Sequence, residues 1–123
     1  MRGIEFRGKI VGAEGFVYGK LLAPLASGNA YIAYDVNEVR SFVYISRSEK
    51  VDPETVGQYT GLKDKYGKKI FEGDICWEEH NECYGVVKFE DAKFLYVWEN
   101  IAEDLWEVAD GIEICGNIHE NPE

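Results

Sequence analysis

The side chains that could bind a soft metal, or pair a nucleophile with a base, are Cys76, His80, Cys83, Cys115 and His119, all the cysteines and histidines in the chain. Cys76, His80 and Cys83 fall around one loop, and Cys115 and His119 near the end of the sequence, offering more than the four ligands that tetrahedral zinc takes. Their spacing matches no zinc signature, so the expectation is three reduced thiols, buried or half-buried in strands, with no metal and no cofactor. A serine or cysteine nucleophile needs a base held beside it. The two histidines fall in an expected loop and tail, which do not supply one.

Among 23 acidic residues some pair must meet the separation of about 5 to 10 Å that glycoside hydrolysis uses. Glu78, Glu79 and Glu82 in one stretch, and Glu99, Glu103, Asp104 and Glu107 in another, read first as solvated charge. Basic residues gather in one place: Lys63, Lys65, Lys68 and Lys69, with Tyr59, Tyr66 and Phe71 between and around them. Lysine and aromatic residues interleaved in this way could hold phosphates and stacked bases. The competing reading is a hairpin turn whose lysines guard an edge against aggregation. The candidate binding set is therefore Lys63, Lys65, Tyr66, Lys68 and Lys69. Gly8, Gly12 and Gly15 form no phosphate loop, because no Lys-Ser or Lys-Thr follows and a strand, not a helix, comes next.

Residues 57–77, GQYTGLKDKYGKKIFEGDICW, organise the elements that must carry these groups. Asp64-Lys65-Tyr66-Gly67 reads as a type I turn, with Asp64 accepting a backbone hydrogen bond and Gly67 left-handed, and Glu72-Gly73-Asp74 reads as a second turn. Three short strands lie around them, at Tyr59, Thr60 and Leu62, at Ile70 and Phe71, and at Ile75, Cys76 and Trp77. Upstream, residues 1–7 alternate as a half-buried strand with Ile4 and Phe6 on one face and Glu5 and Arg7 on the other. Residues 8–15 read as a loop and 16–22 as a strand interrupted by Gly19. Residues 23–29 are a connector, 30–34 and 42–45 are strands, and 35–40 form a turn or one helical turn between them. Asp52 before Pro53 is an N-cap followed by the first helical position, with Gly57 placed to stop a single turn. Downstream come a loop at 78–82, a strand at 85–89, a turn at 90–93, a strand at 94–98, an acidic loop or short helix at 99–107, and a final strand at 112–118. That last strand sets Ile112, Ile114 and Ile118 on one face and Cys115 with Glu113 and Asn117 on the other.

The run VDPETVGQYTGLKDKYGKKIFEGDIC over residues 51–76, and EICGNIHENPE over 113–123, closely resemble the YopX-like protein family of bacteriophages and prophages. The opening, with Ile4, Phe6 and Arg7 and then Val17-Tyr18-Gly19, resembles the start of that family, while residues 23–50 match only loosely. In the family, Val or Ile usually stands where this chain has Cys76 and Cys115. The resemblance implies a mostly β protein of phage origin with no assigned biochemical activity, and it supplies no functional residues to carry over.

With 123 residues, 46% of them hydrophobic, the chain is large and apolar enough for one domain with a core of its own. We expect a mainly β protein of short antiparallel strands, barrel-like or two-lobed, with SH3-like character in the C-terminal part and little helix. Any division into lobes, 1–50 and 51–123 around one core, falls in the polar run at 46–53. The net charge of −10 opposes nucleic acid as a default partner and favours a basic protein. Three Trp, eight Tyr and six Phe supply a β core, Tyr96, Trp98 and Trp106 among them, and an exposed pair would mark a protein-binding patch. No signal peptide and no apolar run of about 20 residues is present, which points to the cytoplasm of a bacterial host cell. The functional expectation is a non-enzymatic acidic module that binds a protein and self-associates, with a nucleic-acid module built on the lysine-rich turn as the alternative.

Overall fold

The computed structural model describes residues 4–23 and 25–120. The expected strand residues 1–3, Pro24 of the connector and the closing Asn-Pro-Glu at 121–123 lie outside them. The described chain is mainly β and falls into two compact units, Met1–Gln58 and Tyr59–Glu123. The polar run at 46–53 is not the boundary, because most of it belongs to a strand.

The first unit holds β1 (Phe6–Lys9), β2 (Phe16–Leu22), β3 (Ala30–Val39) and β4 (Phe42–Val51), all antiparallel, in the order β4-β3-β2-β1. The start of β5 (Gly57–Lys63) pairs on the other side of β1, with Gln58 opposite Phe6 and Gly57 opposite Arg7. Having a neighbour on each side explains two departures from expectation. Gly8 is a strand residue rather than a loop residue, and a Cβ there would come within 2.8 Å of Val51 Cβ. Arg7 is buried rather than solvated, its guanidinium 5.1 Å from the centre of the Phe16 ring, an arrangement the ring's negative face favours. Ala30, Ile32 and Val51 form the buried cluster of this unit, with Phe6, Val17, Leu21 and Val56 packed on it. The expected helical turn is present at Pro53–Thr55, where Asp52 Oδ1 accepts from Glu54 N at 3.1 Å.

The second unit continues β5 against β6 (Lys69–Phe71) and adds a five-stranded antiparallel sheet in the order β10-β9-β8-β7-β11. Its strands are β7 (Asp74–Glu78), β8 (Cys83–Glu90), β9 (Lys93–Trp98), β10 (Ile101–Asp104) and β11 (Ile112–Asn117). A short helix, α1 (Leu105–Val108), follows β10. No ladder joins β10 to β11, so the sheet stays open; the barrel-like alternative falls away and the two-lobed one stands. Ile70, Cys76, Val87, Tyr96, Leu105, Ala109 and Ile112 form the core of this unit. The turn after β5 forms as its residue types dictate: Gly67 N donates to Asp64 O at 2.9 Å, and Gly67 takes φ 82. Residues 101–104 of the acidic stretch are a strand, since they pair with β9 from Ile101 opposite Trp98 to Asp104 opposite Leu95.

The last strand departs from simple alternation. Ile114 lies opposite Cys76 and Gly116 opposite Ile75, so Cys115 is an extra residue in a β-bulge. The bulge turns Cys115 out to solvent and Asn117 inward, and leaves Ile118 exposed in the following turn. The three isoleucines therefore do not share one face.

Candidate functional site

β3 and β4 are twice as long as their sequences suggest, and the far half of the pair is where the molecule departs most from ordinary burial. Residues 35–40 form neither a turn nor a helical turn. The strand continues through Val39, and the reversal is confined to Arg40 and Ser41, with Arg40 left-handed at φ 56. β2 pairs with β3 only from Tyr31 to Ala33. Beyond Ala33, β3 pairs with β4 alone, and the two make a two-stranded arm.

In the arm Val39 lies opposite Phe42, Glu38 opposite Val43, Asn37 opposite Tyr44 and Val36 opposite Ile45. Directly opposed residues share a face and neighbours along a strand alternate. One face therefore presents Val39, Phe42 and Tyr44, and the other Val36, Val43 and Ile45. All six are exposed, Phe42 at 73% and Val43 at 66%, as is Tyr34 at the base of the arm. Asn37 ties the strands together on the first face, its Nδ2 donating to Ser46 Oγ and, at 3.4 Å, to Asp35 Oδ1. The arm carries Asp35 and Glu38 against Arg40, so it holds little of the chain's net charge.

The lysine-rich turn does bring together the residues singled out from sequence. Lys63, Tyr66, Lys68 and Lys69 are exposed, and Lys65 is half-buried. The turn is also internally engaged. Lys65 Nζ lies 3.9 Å from Glu79 Oε1 and 5.4 Å from the Tyr66 ring centre, and Lys69 Nζ lies 5.3 Å from that of Tyr59. Phe71 is buried with its ring 5.5 Å from that of Tyr59, which leaves Tyr66 as the exposed ring of the three. Beneath the turn the Asp64 carboxylate is buried. Burial pushes its pKa up, but amide hydrogen bonds from Ile114, Lys68 and Tyr66, with the Lys68 charge, outweigh that and hold it below the ordinary value.

The five Cys and His residues do not converge. Cys76 is buried in the core, Cys83 is half-buried, Cys115 and His80 are exposed, and His119 lies half-buried in the closing turn. Among the described residues no group of three or more His, Cys, Asp or Glu side chains is placed to hold a metal ion. Burial pushes the Cys83 thiol up, and Glu78, whose Oε1 is 3.8 Å from Sγ, pushes it further, so it stays protonated at neutral pH. Treated with a chromogenic disulfide reagent, the native protein should release one equivalent quickly from Cys115, a second slowly from Cys83, and the third from Cys76 only on unfolding. A fast Cys115→Ser variant would contradict that order.

Of the tryptophans and tyrosine singled out, Tyr96 is buried, Trp98 is half-buried with Nε1 donating to Glu103 Oε2 at 2.8 Å, and Trp106 is exposed at 67%. Phe42 and Tyr44, not among those singled out from sequence, are two exposed aromatic side chains on one face of the arm. Sequence reasoning missed the arm because Phe42-Val43-Tyr44-Ile45 reads like any buried strand. The available signal was that both alternating faces of Phe42-Val43-Tyr44-Ile45 are apolar and that no Gly or Pro lies between Tyr34 and Val39.

No helix among the described residues is long and apolar enough to cross a membrane. No curated protein matches the chain. The fold is similar to that of the crystal structure of protein EF1440 from Enterococcus faecalis, with a TM-score of 0.69 at 22% identity, covering 98% of this chain and 96% of that one. The YopX protein family matches residues 5–123, nearly the whole length, and the chain belongs to that family.

Proposed function

We propose that the chain is a non-enzymatic protein-binding module of phage or prophage origin, acting in the bacterial cytoplasm, whose docking element is the β3–β4 arm. The observation that supports this reading is the exposure of seven large apolar side chains, Tyr34, Val36, Val39, Phe42, Val43, Tyr44 and Ile45, on one two-stranded ribbon. Summed over the two faces of the ribbon they expose on the order of 700 Å² of surface, about half on each face, the size of the apolar patches that often mark a functional surface. The partner surface is apolar and low in charge, matching the arm. The net charge of −10 acts at longer range and disfavours nucleic acid, so the lysine-rich turn is read as a guarded hairpin.

The test places a photo-crosslinking benzoylphenylalanine at Tyr44 of the full chain, on the same face as Phe42, and in a control at Lys88, an exposed residue of β8. Irradiation in the expressing cell is expected to give protein adducts from position 44 that disappear with Phe42→Glu. Adducts from position 88 alone, or none from position 44, would overturn the reading.

A further inference from the structure

We infer that the protein seated on the arm is a second copy of this chain, so that the molecule assembles with itself through β3 and β4. The inference rests on the arm being a docking element and names its occupant.

Three observations lead to it. First, charge. A copy with net charge −10 repels another copy, and close approach requires a contact in which that charge is nearly absent. Across residues 34–45 two acids face one base, while the neighbouring half of β4 carries Arg47, Glu49 and Lys50. Charges on an edge strand discourage pairing with other chains, and Phe42-Val43-Tyr44-Ile45 has none. Second, area. Of the roughly 700 Å² of apolar-residue surface on the arm, the face bearing Val39, Phe42 and Tyr44 supplies about half, below the ~800 Å² per partner of a standard stable interface and suited to a weak, concentration-dependent self-contact. Third, self-complementarity. An antiparallel ribbon presenting Val39, Phe42 and Tyr44 on one face can pack against the same face of another copy across a two-fold axis, burying like against like. Edge pairing of β4 with β4 alone would leave both faces in water, so the faces themselves must meet.

Charge repulsion and apolar contact give the assembly an unusual salt response. Added salt shortens the screening length from about 10 Å at 0.1 M to about 3 Å at 1 M, weakening repulsion while leaving apolar burial intact. Self-association therefore tightens with salt, whereas a complex with a basic protein would loosen.

The experiment is sedimentation velocity on the untagged full chain at 0.1 and 1 M NaCl, with Phe42→Glu and Val43→Glu in parallel. Both positions are exposed, so both variants should keep the parent's far-UV circular dichroism and thermal midpoint. The parent should sediment as a multiple of 14.0 kDa, more completely at high salt, and Phe42→Glu as the 14.0 kDa monomer. Val43→Glu, on the opposite face, should weaken assembly less. A parent that stays monomeric at about 100 µM in both salts, a weak dissociation constant by any standard, overturns the inference. So does a folded Phe42→Glu variant that keeps the parent's mass. If the position 44 crosslinker still captures another protein from a monomeric parent, the docking role survives and only the identity of the occupant falls. If it captures nothing, both fall.

Discussion

Asp64→Ala is expected to destabilise the second unit by about 3 to 5 kcal/mol, since it removes three hydrogen bonds to a charged group, each contributing about 1.5 to 3 kcal/mol, of which water can replace those in the exposed turn. The Asp64 carboxylate accepts from Tyr66 N and Lys68 N, each at 2.9 Å through Oδ1, and from Ile114 N at 3.1 Å through Oδ2. Two of these bonds shape the turn, and the third fastens it to β11. Urea unfolding followed by tryptophan fluorescence should show the midpoint move sharply for Ala. Asp64→Asn should lie between Ala and the parent, because its amide keeps one acceptor and turns a donor towards backbone donors. The pH dependence has a definite sign. The folded pKa lies below the ordinary value of 3.8, so the contribution of Asp64 is fully present above that value and is lost as pH falls through the folded pKa. The gap between parent and Asn variant should therefore narrow below about pH 3.8. A gap that does not change between neutral and acid pH would show that the carboxylate charge is not what holds the turn.

The second large effect belongs to Tyr96 and the glycine beneath it. Tyr96 is fully buried, its hydroxyl donating to Cys76 O at 3.0 Å, and Tyr96→Ala should cost about 3 to 5 kcal/mol, as other large aromatic truncations do. Its ring lies across Gly85: a Cβ there would sit 2.5 Å from Tyr96 Cζ and 2.6 Å from Cε1. Gly85→Ala should therefore cost about 2 to 3 kcal/mol by forcing the ring out of place. The two changes should not add. In the double variant the new methyl group occupies space that the ring has left, and the combined loss should fall short of the sum by 1 kcal/mol or more, about the coupling seen between residues in contact. Strict additivity in a denaturation cycle would mean that the ring does not rest on Gly85.

These two sites also show what could be read from the chain before its structure. The Asp64 turn was legible because its chemistry is local: an Asp at the first position and a Gly at the fourth describe the reversal without reference to any other strand. The same holds for the Asp52 cap and for the hairpins from Asp74 to Trp98. What could not be read depends on partners far away in sequence. Whether Arg7 faces solvent depends on β2 and β5 lying on both sides of β1. Whether Cys115 alternates with its neighbours depends on how β11 registers against β7. The lysine-rich turn was found as a cluster, but its pairings with Glu79 and Tyr59 were not. The arm was the largest omission, because a strand's hydrophobicity says nothing about whether another layer covers it.

The bond from Asp64 to Ile114 spans 50 residues, and Lys65 N donates to Ile112 O at 3.0 Å across nearly the same interval. During translation the pairing partners of β1 to β4 have all been synthesised by Gln58, whereas the Asp64 turn must wait for its last acceptors and donors. At about 5 to 20 residues per second, the 24 residues from the end of β8 at Glu90 to Ile114 take roughly 1 to 5 s, during which β7 has β8 on one side and an open edge on the other. The nascent chain thus passes through a stage in which one unit is finished and the other has its turn made but not yet locked. The speed of the ribosome over residues 91–114, rather than any property of the finished molecule, sets how long that edge is offered to other chains.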